Sequence, residues 1–495
     1  MDHTGRIESP PAPAVRRLLF ERTADAQIRD EFPYIVAVDE AHLVMLAECG
    51  IIDAARARRL LAEIAVLRES GFAPLVGRVP SRGVYLMYED YLIEKLGPET
   101  AGVLQTGRSR NDLAATVFKL RVRRSYADLL REALRLQAVL LCRARRYAAV
   151  VMPAYTHGQP AMPSTFGHYL AAVAEALSRD LEGLESAVRG IHLSPLGAGA
   201  VAGSTLPIRT VRTARLLGFR APVPNSIDAV ASRDLALRIL SACAIFHITL
   251  SRLAADLFQW STAEFDFLSF PDGLCGSSSA MPQKRNPFLL EHILGRSAAA
   301  PAEFLRSAMA MHAMPFSNSI AVGTEAICNF WDTMRCARET ALLMRLIVFG
   351  IRPNCEAMRR RAESGYTAAT ELANRLVLFA GLDFRTAHRT AGEIVLAAIR
   401  SQHAPLEEVA RRLLATRGIS FEPGPLDTPS LAASAAAGGG PAPASQERCI
   451  RMVHRDWTAR VLRLARLRQS WARDDARRWD AVQALRAGPE SAGAA

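Results

Sequence analysis

Five stretches of this chain, 41–67, 114–147, 166–188, 235–258 and 330–349, repeat apolar residues at three- and four-residue spacing, the period of one helix face. They are long and rich in Ala, Leu and Arg, and their apolar positions fall on more than one face. Such a helix has to be covered on several sides, as in a bundle, and another copy of the chain can supply part of the cover. Alternation at period two, the mark of a half-buried strand, is almost absent. The fold class that follows is mainly α, built on long bundled helices.

Between the helical stretches, the segments 106–111, 152–163, 195–207 and 273–287 gather Gly, Pro, Ser and Thr and read as loops. Loops held by a rigid scaffold are where sites tend to lie. The Ala/Gly/Pro-rich segment 430–445 predicts a flexible excursion before a last helix at 446–467, and 486–495 reads as a disordered tail. The 495 residues leave room for two to four domains.

Several function classes are disfavoured. No uninterrupted run of about 18 apolar residues predicts a membrane span, and residues 1–13 lack the basic start and apolar core of a secretory signal. The eight cysteines are scattered, with no CxxC pair, which favours reduced thiols in a cytoplasmic protein over disulfides or a metal site. The net charge of +12 comes from arginines spread among apolar residues, as in Arg56-Ala57-Arg58-Arg59. That pattern suits solvated helix faces better than a nucleic-acid stripe.

The segment from Gly276 to Pro287 joins three serines, Lys284 and Asn286 in one loop. Lysine occurs elsewhere only at Lys95 and Lys119, although the chain has 61 basic residues. A compact ammonium is not interchangeable with a planar guanidinium, so Lys284 either has a task or survives by chance on a surface loop. Thr106-Gly107-Arg108-Ser109-Arg110-Asn111-Asp112 offers the donors that carboxylate recognition needs, ahead of a helix N-terminus. Alone, it equally suits a helix cap at Asn111 or Asp112. Tyr155-Thr156-His157-Gly158-Gln159 places a histidine among hydrogen-bonding side chains, suited to proton transfer or to a purely structural role.

Taken in order, these three motifs, Thr165-Phe166-Gly167-His168, Asn225-Ser226-Ile227-Asp228-Ala229 and Ser232-Arg233-Asp234 resemble the fumarase/aspartase superfamily. More narrowly, the chain is similar to argininosuccinate lyases from about Val38 to about Leu467. The resemblance implies a three-domain, mainly α fold with a long central helical bundle shared in a homotetramer, each active site drawn from three subunits. Its domains would span 1–112, 113–362 and 363–495. It implies a carbon–nitrogen lyase that eliminates fumarate in the anti sense from an N-succinyl adduct, or adds an amine to fumarate, with no metal or organic cofactor and small dicarboxylate or amino-acid substrates as partners.

By the same resemblance Ser278 takes the Cβ proton, Lys284 and Asn286 stabilise the developing aci-carboxylate, His157 serves the leaving group and Glu291 orients His157. Arg108, Ser109, Arg110, Asn111, Thr156 and Gln159 fall among the substrate-binding positions. Other positions depart from the family pattern. Asn318, Gly323 and Ala326 stand where argininosuccinate lyases carry Tyr, Gln and Lys. Arg82-Gly83-Val84-Tyr85 replaces Glu-Asp-Val-His, and Gln105 replaces a His. Matches thus gather on the fumarate half of the substrate and losses on the amine half, which predicts a working lyase with a changed amine partner. Authentic argininosuccinate lyase is the alternative reading, and a non-catalytic, crystallin-like or partner subunit is a third.

Overall fold

Ser109 decides where the longest bundle helix begins. Its hydroxyl accepts the Asn111 N–H at 3.2 Å, while the Asp112 carboxylate accepts the Ser109 N–H at 2.9 Å. This reciprocal cap satisfies backbone donors that a helix start leaves open. The expected cap at Asn111 or Asp112 therefore moves to Ser109, with Asp112 as its reciprocal partner. In the computed structural model, which describes residues 6–7, 9–80, 82–401, 404–419 and 421–488, helices dominate and the strands are few and short.

The N-terminal part contains α1 (Ala24–Glu48), α2 (Ala54–Glu69) and α3 (Val84–Leu96). The single helix expected over 41–67 is two, because a turn through Gly50 at φ 67° and the Asp53 cap interrupt it. The bundle consists of α4 (Arg110–Arg146), α5 (Phe166–Ala187), α6 (Asp234–Trp260), α7 (Phe288–Arg296), α8 (Ala299–Met311) and α9 (Phe330–Gly350). A β-hairpin, β1 (Val151–Thr156) and β2 (Gln159–Thr165), joins α4 to α5. The segment expected as an irregular loop is thus an ordered ribbon, its signal masked by three prolines within the strands. Beyond the bundle follow α10 (Cys355–Ser364), α11 (Ala369–Ala380), α12 (Phe384–Arg400), α13 (Leu406–Thr416) and α14 (Pro443–Ala487).

Three separate apolar clusters hold these elements. One lies among α1, α2 and α3, a second inside the bundle, and a third among α11, α12 and α13. Phe166, Phe246 and Phe330 are fully enclosed in the bundle, and truncating side chains buried so deeply costs about 3–5 kcal/mol each. Close helix approach adds to this. A Cβ on Gly167 would stand 2.4 Å from the Ala144 carbonyl oxygen, so only glycine lets α5 leave the hairpin against the end of α4.

The last helix runs to Ala487, about twenty residues beyond the expected end at 467. Its first half packs in the bundle through Ile450 and Val453, with Trp457 Nε1 donating to the Leu134 carbonyl at 2.9 Å. Its far end places Val482 in the N-terminal cluster. Period counting fails there because frequent arginines and other polar residues interrupt the apolar pattern. The expected flexible excursion holds a short helix, Thr428–Ser434, and of the expected tail only 486–488 lies among the described residues.

By length and composition, α6 is also apolar enough to cross a membrane, and 56% of its most apolar window is buried inside the fold. Interrupted apolar runs hid this from a search for uninterrupted ones. Ile245 and Ile248 on α6, with Leu305 and Met309 on α8, leave an apolar surface uncovered by the chain itself.

Candidate active site

The motif residues divide between the two ends of the bundle. With 37 residues at about 1.5 Å rise, α4 separates its ends by about 54 Å. The hairpin and the serine loop sit at its C-terminal end. Tyr147 Oη donates to the Ile351 carbonyl at 3.1 Å, and Leu268–Ser269 pairs with Arg352–Pro353. The 106–112 loop and the 318–326 segment lie at the other end, where the Phe118 and Phe330 rings are 5.2 Å apart.

At the hairpin tip, Thr156 pairs with Gln159 and the two turn residues, His157 and Gly158, have φ of 52° and 73°. Two left-handed residues in a two-residue loop match the twist of the strands. Glycine takes this conformation freely, whereas a histidine there is uncommon. Thr156, His157 and Gln159 are exposed, so the ribbon displays all three side chains at its tip.

The serine loop closes on itself through two backbone hydrogen bonds of 2.8 Å, from Gly276 N–H to the Asn286 carbonyl and from Asn286 N–H to the Gly276 carbonyl. Arg285 ties the loop down, donating to Asp272 at 2.5 Å and to the Phe270 carbonyl at 2.9 Å. Within the loop, Ser278 Oγ accepts the N–H of Met281 at 3.0 Å and that of Ala280 at 3.4 Å. Two amides directed at one hydroxyl oxygen favour negative charge on it. Lys284 is exposed, Asn286 is half-buried, and Glu291 is exposed in the first turn of α7. Among the described residues, neither Lys284 nor Glu291 has an ion-pair partner in the chain.

At the opposite end, Arg108 departs from its expected place on the substrate. Its guanidinium is enclosed and donates to Asp39 at 2.5 Å, to Tyr85 Oη at 2.7 Å and to Gln105 at 3.0 Å. Two departures from the family pattern, Tyr85 and Gln105, thus meet on one side chain and hold it inward. His42 lies under the same loop, donating from Nε2 to the Thr106 carbonyl at 2.8 Å. Burial, with the Arg108 charge beside it, lowers its pKa to about 3, so the ring is neutral at physiological pH. Sequence reasoning missed Asp39 and His42, which sit in an ordinary-looking helical stretch.

Ser109 spends its hydroxyl on the α4 cap. Asn111 is half-buried and its Nδ2 donates to the Ala200 carbonyl at 3.1 Å. Asp112 draws the 195–207 loop alongside, accepting N–H donors from Gly197 at 2.9 Å and Gly199 at 3.0 Å. Arg110 is exposed and reaches the Arg82 carbonyl at 3.5 Å. Asn318 precedes the helical turn that Ser319 caps and Gly323 ends it, whereas Ala326 is fully buried and its carbonyl accepts the Ser307 hydroxyl at 2.5 Å.

Comparison with known proteins gives the family. Residues 82–301 match a lyase family model, and 366–422 match the model of the argininosuccinate lyase C-terminal region. The chain is 34% identical to argininosuccinate lyase 1 of Shouchella clausii over 79% of its own length and 78% of that protein. It is 38% identical to argininosuccinate lyase of Methanothrix thermoacetophila over 72% and 73% of the two chains. Among solved structures, EDDS lyase in complex with formate superposes with a TM-score of 0.85 at 29% identity, over 99% of each chain. The class II fumarase of Schistosoma mansoni shares the fold, with a TM-score of 0.67 at 17% identity.

Proposed function

The chain belongs to the argininosuccinate lyase family and is a carbon–nitrogen lyase that releases fumarate, and we propose that its substrate is an N-succinyl adduct with an amine half other than arginine. The observation that carries the chemistry is the Ser278 turn. An alkoxide there is held by the Met281 and Ala280 amides and takes the proton from the carbon beside a carboxylate. The electrons form the C=C bond, the C–N bond breaks, and His157 returns a proton to the departing nitrogen. Lys284 and Asn286 hold the charge gathered on the aci-carboxylate, the largest electrostatic demand of such a step. Glu291 orients His157. Carboxylate binding falls to Asn111, Thr156 and Gln159, since the Arg108 and Ser109 side chains are engaged inside the fold.

A site of this composition is assembled between copies. The Asn111 end and the His157 and Ser278 end lie about 50 Å apart along α4, and a hairpin arm of six or seven residues reaches only about 20 Å. We infer a homotetramer in which the uncovered faces of α6 and α8 pack between subunits and bring one copy's Asn111 end to the other end of its neighbours. The three apolar clusters support three domains, near 1–112, 113–362 and 363–495, with α14 running back across the first two.

The changed amine half rests on Asn318, Gly323 and Ala326. Each lost hydrogen-bonding side chain costs about 1–3 kcal/mol in a desolvated site, so argininosuccinate is expected to be turned over at least roughly 10²-fold less efficiently than the preferred adduct. Following fumarate absorbance with argininosuccinate beside a panel of N-succinyl amines checks this. Argininosuccinate as the best substrate of the panel would restore the authentic argininosuccinate lyase reading.

A further inference from the structure

Two bundle helices, α4 and α9, end beside one another, and the space between their ends and the stem of the serine loop is an open cleft of about 550 Å³. Arg143 and Arg146 at the end of α4, Arg352 just beyond α9 and the Phe349 ring line it, and no carboxylate does. Asp272, beside Pro271 in the loop stem, is taken by Arg285 at 2.5 Å, and Glu447 by Arg145 at 3.6 Å. The carbonyl end of a helix draws cations. Arg143 answers that demand for α9, donating from Nη2 to the Phe349 carbonyl with its guanidinium 5.1 Å over the Phe349 ring. Arg146 lies 5.9 Å over the Tyr147 ring, and Arg352 belongs to the short strand paired with Leu268–Ser269. Among the described residues, neither Arg146 nor Arg352 has an ion pair or a side-chain hydrogen bond. Helix capping thus accounts for one of the three cations and leaves two directed at the cleft.

A guanidinium meets phosphate oxygens two at a time. The same walls offer an apolar face beside the cations, with Phe349 63% exposed and Leu346 36% exposed. Apolar walls with a few convergent polar groups are the composition of a small-molecule site, and the volume falls within the range of about 300–1,000 Å³ that such sites occupy. We propose that this cleft binds a phosphate monoester carried on a planar body, the chemistry of a nucleoside monophosphate, with Arg146 and Arg352 on the phosphate and Phe349 against the ring. The occupant touches the serine loop. A Cβ on Gly350 would stand 2.5 Å from Leu274 Cδ1 and 3.2 Å from Pro271 Cδ, so glycine seats the loop stem directly on the end of α9. Leu274 stands two residues before Gly276, whose backbone pair with Asn286 closes the loop. A ligand filling the cleft against Leu274 and Pro271 restrains the loop and slows turnover. This coupling rests on the lyase reading given above, whereas the binding does not.

Calorimetric titration of the full-length enzyme with adenosine 5′-monophosphate, and separately with inorganic phosphate, tests the site without any substrate. The nucleotide is expected to bind about tenfold or more tightly than phosphate, and about tenfold or more weakly in the double variant Arg146→Glu with Arg352→Glu. Phe349→Ala, at an exposed ring, is expected to remove most of the advantage over phosphate. Saturating nucleotide should lower kcat for fumarate release about threefold or more in the intact enzyme. The double variant should keep its basal turnover and lose that response. No binding at millimolar nucleotide overturns the site, whatever the lyase activity. Equal affinity for nucleotide and phosphate overturns the planar body. Binding that persists in the double variant and is displaced by fumarate places the nucleotide in the lyase site and overturns the inference as well. Binding with unchanged kcat overturns the coupling to the loop. Binding by a protein that releases fumarate from no adduct upholds the site and removes the lyase reading with the coupling.

Discussion

Alanine at Ser278 should lower fumarate release about 10³-fold or more, with little change in KM. General-base removal of a proton contributes about 10²–10⁴ to a rate, and the oxygen of the proposed base, Ser278 Oγ, is also the one toward which two loop amides point. Loss of 10³ corresponds to about 4 kcal/mol of transition-state stabilisation. The loop itself should survive, because its closure rests on the Gly276 and Asn286 backbone pair and on Arg285, none of which uses the serine side chain. Steady-state kinetics with the preferred adduct, alongside a thermal melt, give the comparison. A variant that melts normally and retains full activity would remove Ser278 from the base position.

The second large effect is a recovery. Asn111→Leu and Ser278→Ala are each expected to be nearly inactive alone, yet mixing them as equal amounts of refolded subunits should restore activity. The two residues lie at opposite ends of α4, so in the composite site proposed above they come from different copies. With random assortment, about one site in four draws Asn111 from a Ser278→Ala subunit and Ser278 from an Asn111→Leu subunit, and activity should return toward about a quarter of the unmodified level. A site contained in one chain would stay dead in the mixture. The recovery therefore measures the composite site without any need to identify the physiological amine.

Much of this was legible in the sequence because bundle helices advertise themselves. The stretches 166–188, 235–258 and 330–349 match helices to within a residue or two, since burial on several faces leaves few positions for polar residues to blur the period. What escaped has identifiable causes. The β1–β2 ribbon is short and proline-bearing, so its alternation is broken, and in the far half of α14 arginines and other polar residues break up the apolar period. Arg108 shows the limit of motif transfer. Its place in the Thr106 to Asp112 run points to substrate, but Asp39 and Tyr85 from other helices and Gln105 from the turn just before it converge on it and turn it inward. Arg233 is the converse. In the sequence it is one letter of the Ser232-Arg233-Asp234 run, and its burial without an ion-pair partner among the described residues emerges only in three dimensions.

The central claim, proton removal and C–N cleavage that together form the double bond of fumarate, is tested most directly in the addition direction. Fumarate and a panel of amines are incubated with the enzyme in deuterium oxide, and the adducts are read by nuclear magnetic resonance. A single deuterium at one diastereotopic position of the succinyl C3, absent with Ser278→Ala, is the predicted result. Deuterium at both positions, or no adduct from any amine while the protein remains folded, would contradict it.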